Sequence, residues 1–129
     1  MQLHDFLGRL QERSNLHSQD EALRAVQATY QTLSERLAGG EPLNLAAQLP
    51  SLLQDRADAG HGERFSAEEF CRRVAEREGV DKEMARKHAQ AVLAVTQEAV
   101  SAGEIEDVLA QLPQEYHALF GGGRPTRPM

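Results

Sequence analysis

The chain states one stretch twice. Gly40-Glu41-Pro42-Leu43-Asn44-Leu45-Ala46-Ala47-Gln48-Leu49-Pro50 returns 63 residues later as Gly103-Glu104-Ile105-Glu106-Asp107-Val108-Leu109-Ala110-Gln111-Leu112-Pro113. Both copies open on Gly-Glu and close on Ala-Gln-Leu-Pro, and each follows a long stretch with helical periodicity, which marks a supersecondary unit rather than a chance tetrapeptide. At the same offset lie Ala22/Ala85, Gln27/Gln90, Ala28/Ala91 and Glu35/Glu98, while the first helices align better at 64, as Phe6/Phe70 and Leu16/Val80. The change of register falls in the turn between first and second helices, where an insertion costs least. Two copies, each with a helical face that needs a partner, predict an all-α fold: a single domain over 1–120 built as a pseudo-two-fold bundle. Its repeats are expected at 3–55 and 66–120, joined by a connector over 56–65.

Local signals place the helices. Leu3, Phe6, Leu7 and Leu10 recur at three- and four-residue spacing, so a first helix runs from residue 3 to about 14. Ser18-Gln19-Asp20-Glu21 and Ser66-Ala67-Glu68-Glu69 have the form of capping boxes and open the next helix in one half and the first in the other. Asp81 caps a long helix to about Ser101. Gly39-Gly40, Gly79 and Gly103 are predicted to stop the helices before them. Pro42 suits the start of a short helix. Pro50 and Pro113 predict bends, with a further short helix over 50–55 and a last one to about Phe120. The segment 56–65 is polar without a period, and 121–129 has no apolar face and reads as a flexible tail.

Composition narrows the classes of function. The net charge is −6 and both halves are acidic, which disfavours nucleic acid as a partner because phosphate neutralisation needs a cationic surface. The longest apolar run, Ala91 to Val95, is far short of the roughly 20 residues a membrane span needs. One cysteine, Cys71, allows no internal disulfide, which suits a cytoplasmic setting.

No catalytic constellation emerges, and no cofactor or metal motif. His4, His17, His61, His88 and His117 show no metal-binding spacing and read as solvent-exposed. Cys71 has Arg72 and Arg73 beside it but no designated base or second thiol. The basic residues from Arg72 to Lys87 alternate with acidic ones, as on a solvated helix face. The candidates for binding are the repeated polar residues. Glu41 and Glu104 form either a paired acidic site for a cation or basic ligand, or two carboxylates that stabilise helix starts. Gln48 and Gln111 either recognise a partner's backbone or satisfy local peptide groups at the bends.

The twice-stated Gly-Glu…Gln-Leu-Pro unit, with an Ala-rich long helix before each copy and Leu119-Phe120 after the second, resembles over residues 3–120 the bacterial family catalogued as domain of unknown function 2267. The resemblance implies a prokaryotic, helical, cytosolic protein of unassigned activity and carries no catalytic residues. Leu43-Asn44 stands in the first copy where the second has Glu106-Asp107, so the first corner is less charged.

The function expected from these residues is a non-enzymatic helical protein-interaction module acting through the two repeated corners, on another protein or on a second copy as a homodimer. The alternatives are a small-molecule or regulatory binding domain with a pocket between the repeats, near Tyr30, Leu93 or Tyr116, and a DNA-associated protein.

Overall fold

The computed structural model describes residues 1–49 and 60–120. In chain order these form α1 (Leu3–Arg13), α2 (Gln19–Arg36), β1 (Ala38–Gly39), α3 (Glu41–Ala46), β2 (Gly60–His61), α4 (Ala67–Glu78), α5 (Lys82–Ala99), α6 (Ala102–Ala110) and a 3-10 helix over Gln114–Ala118. Among the described residues the fold is all-α apart from β1 and β2, which pair antiparallel. None of these helices is long and apolar enough to cross a membrane.

The caps work as their chemistry dictates. Ser18 Oγ accepts from the Glu21 N–H at 3.1 Å, Ser66 Oγ from the Glu69 N–H at 3.0 Å and Asp81 Oδ1 from the Met84 N–H at 2.8 Å. Each satisfies a donor that the first helical turn leaves free. α4 ends on Gly79 in the left-handed region at φ 79°, a conformation that costs glycine little. Long helices α2 and α5 touch each other; α4 packs on both, α1 packs on both, and α3 lies against α6. Alanines 22, 25, 28, 85 and 89 are buried, so the long helices meet their neighbours closely around Phe6, Leu10, Val26, Phe70, Val74 and Leu93.

Four boundaries differ from expectation. Gly39-Gly40 does not stop α2, which ends at Arg36 with Leu37 extended. Leu37 is fully buried, and the chain after it is drawn into the pairing of Ala38 with His61 and Gly39 with Gly60. This pairing also puts a strand into the supposed connector. Gly60 is required there, because a Cβ would stand 2.2 Å from Leu37 O. Gly103 does not stop the second long helix either: α5 ends at Ala99, Val100 is extended, and Gly103 lies inside α6 because Ser101 Oγ caps that helix through the Glu104 N–H. The final helix is a short 3-10 turn, with buried Tyr116 set edge-on to Phe70 at 5.7 Å between ring centroids. The helix expected over 50–55, most of the connector and the tail at 121–129 lie outside the described residues.

Candidate functional site

The two repeated corners meet where α3 lies against α6. Their glutamines cross over. Gln48 Oε1 accepts from the Ser101 N–H at 2.7 Å, and Gln111 Oε1 accepts from the Ala38 N–H at 2.8 Å. Donors and acceptors are each 63 positions apart, so one bond repeats the other in the opposite direction. Ser101 precedes α6 and Ala38 opens β1, places where peptide N–H groups lack a partner in their own element. Each amide therefore serves the opposite corner rather than its own bend.

Glu41 and Glu104 also come together where α3 and α6 meet. With Asp107 they bring three carboxylates so close that one oxygen from each lies within 4.8 Å of the others. Glu41 is half-buried, Asp107 is exposed, and Glu104 is only 8% exposed. Glu41 Oε2 and Glu104 Oε2 are shielded from solvent and receive no hydrogen bond from a donor among the described residues. Burial, together with the hydrogen-bonded and charged Glu41 beside it, pushes the Glu104 carboxyl up to about 7. An ionised Glu104 so placed stands against a neighbouring carboxylate, a repulsion that a cation would relieve. The sequence marks Asp107 only as part of a more charged second corner and not as a binding candidate, although it lies three residues after Glu104, on the same face of a helix, and that spacing was the available signal.

Other candidates sort by burial. His4, His17, His61 and His117 are exposed, but His88 is not: it is 4% exposed and its Nδ1 is hydrogen-bonded to Glu78, itself 5% exposed. The expectation of an exposed His88 fails because its position on α5 faces the end of α4. Burial pushes the Glu78 carboxyl up, against the pull of His88. The pair borders a cavity of about 350 Å³ that also takes in Leu16, His17, Arg24 and Met84. Cys71 is fully buried, and this pushes its thiol up, away from the thiolate a nucleophile needs. Arg72, Arg73 and Arg77 are engaged by Glu35, Glu63, Glu69 and Glu76. Tyr30 bonds Thr96, Tyr116 donates to Phe65 O at 2.6 Å, and Leu93 is fully buried, so these three are packing residues.

A family model described as an uncharacterized conserved protein (DUF2267) matches residues 3–119. No curated protein matches the chain.

Proposed function

We propose that this chain, which belongs to the DUF2267 family, is a non-enzymatic helical protein-interaction module whose contact surface is the joined corner and whose ligand presents a cationic group. The single observation behind this is the convergence of Glu41, Glu104 and Asp107, to which no Lys or Arg among the described residues is ion-paired. Helix formation alone calls for neither the convergence nor the buried, donorless oxygens. The proposal includes a bacterial, cytoplasmic setting and two halves that are copies about a pseudo-two-fold axis; the crossed Gln48 and Gln111 bonds, which obey the repeat offset, support the latter. Gln48 and Gln111 hold the corner together, and the carboxylates meet the partner.

The test is capture of binding proteins by the wild type beside a Glu41→Gln, Glu104→Gln double variant. A partner retained by the wild type and lost from the variant supports the surface, whereas equal capture by both sinks it. Sedimentation velocity on the same two proteins examines the homodimer: a dimer that persists in the variant places self-association elsewhere.

A small-molecule function is the second reading, favoured by the cavity beside His88 and Glu78, whose lining comes from both halves of the chain. Saturable protection against thermal unfolding by a small ligand, abolished by His88→Gln, would establish it in preference to the corner.

A further inference from the structure

The structure assigns to Glu41, Glu104 and Asp107 a binding site for a hard divalent metal ion, of the Ca²⁺ and Mn²⁺ class. This rests on the reading of the corner as a site for a cation and names the cation. The ligand set is all oxygen, which selects against soft metals and favours calcium, magnesium or manganese. One oxygen from each carboxylate falls within 4.8 Å of the other two, and a central ion about 2.3–2.6 Å from each oxygen, the usual calcium distance, spans that separation.

The second observation concerns Glu104 alone. It is more than nine-tenths buried, and its Oε2 is shielded from solvent and receives no hydrogen bond from a donor outside the cluster among the described residues. Glu41 Oε2 is in the same condition. A buried carboxylate oxygen without a donor is costly to ionise, and polar atoms of this kind are rare enough to call for a missing partner. A metal ion supplies one without added side chains. Asp107, exposed at the edge, leaves the ion open on one side to water or to an oxygen from a bound partner. The crossed glutamines fix the two corners that carry Glu41 and Glu104, so the oxygens are held together before the ion arrives.

The alternative occupant is a single proton shared by Glu41 and Glu104. Both occupants relieve the same repulsion, and they differ in what they compete with. The deciding experiment is calorimetric titration of the intact chain with CaCl₂ and with MnCl₂ at about pH 8, after EDTA treatment, together with the melting temperature at each metal concentration. A saturable site with a dissociation constant in the range of about 10⁻⁵ to 10⁻³ M is expected, with a melting temperature that rises with metal concentration. Glu104→Gln should abolish binding, Asp107→Asn should weaken it at least tenfold, and Glu98→Gln, a remote surface change, should leave it intact. Because Asp107 is exposed, its variant separates lost ligation from lost folding.

The assignment is overturned by no saturable binding of either metal at ~10 mM, or by binding that survives both Glu104→Gln and Asp107→Asn. Partner capture repeated in EDTA separates the two readings. Capture in EDTA without metal binding sinks the metal alone, and metal binding without any corner-dependent capture sinks the interaction module alone.

Discussion

Two clusters of one glutamate and two arginines tie the halves of the molecule together, and they occupy matching positions. Glu35 near the end of α2 pairs with Arg73 at 2.9 Å and with Arg77 on α4. Glu98 near the end of α5 pairs with Arg9 at 3.2 Å and with Arg13 on α1. The glutamates are 63 residues apart and the arginines 64, the two offsets seen in the sequence repeat. Their surroundings differ. The side chains of Glu35, Arg73 and Arg77 are 17%, 22% and 26% exposed, whereas those of Glu98, Arg9 and Arg13 are 31%, 56% and 46% exposed. The segment after β2 covers the first cluster: the Glu63 N–H bonds Glu35 O at 2.9 Å, Glu63 joins Arg73, and the Arg73 guanidinium lies 3.9 Å from the Phe65 ring centre. Identical charge patterns thus have unequal worth, because burial sets the dielectric in which they act.

The largest effect should come from a pair that only one half possesses. The positions matching Glu78 and His88 are Ser14 and Ala25, which cannot form it. His88→Ala leaves the Glu78 carboxylate buried and unpaired and should cost about 3–5 kcal/mol in urea unfolding at neutral pH. Burial raises the Glu78 carboxyl, so in the variant the penalty is present above its raised folded value and is relieved as acid protonates it. The difference from wild type should therefore shrink toward pH 4. A cost independent of pH would show that the loss is one of volume, not charge.

Next come the matched clusters. Glu35→Gln should cost about 2 kcal/mol, between the values for buried and exposed pairs, and Glu98→Gln less than about 0.5 kcal/mol. The Arg77 hydrogen bond, with Arg73, holds Glu35 below the usual carboxylate range. Its contribution is present above the ordinary carboxylate pKa and is lost as pH falls through the lowered folded value, so the gap between the two variants closes in strong acid. Equal costs at pH 7 would break the comparison.

Glu104 should behave with the opposite sign. Its folded value is raised to about 7, so stability falls as pH rises from the ordinary carboxylate value to about 7. In EDTA, Glu104→Gln should gain on the order of 1–2 kcal/mol at pH 8 and nothing at pH 4. A variant that loses stability at pH 8 would remove the buried repulsion from the account.

These contrasts mark how far the sequence could be read. The helices, the serine and aspartate caps and the Gly79 stop were legible because each is set within a few residues. The ends of α2 and α5 were not: Leu37 and Val100 turn extended to bury themselves, and the packing that rewards this lies elsewhere in the chain. At the corner, repetition identified Glu41, Gln48, Glu104 and Gln111. It could not reveal which segments the corners would meet, so the glutamines read as either partner-binding or local, and Asp107 only as part of a more charged second corner. His88 resembled the other four histidines because a single polar residue carries no sign of the carboxylate it will face.

The smallest effects fall on the crossed glutamines, where the halves should be indistinguishable. Gln48→Ala and Gln111→Ala each remove one acceptor from a peptide N–H, of Ser101 and of Ala38. Both sites are near the surface, where water partly replaces the lost acceptor, so each should cost about 1 kcal/mol in chemical denaturation. The two bonds clamp the same α3 and α6 contact from opposite directions. Once one is gone the contact is free to open, and the second has less to hold, so the double variant should cost less than the sum of the singles. Strict additivity would mean that the corners are fastened independently. A cost for one glutamine and none for the other would mean that only one bond holds the joint, and the match between the corners would then stop at the sequence.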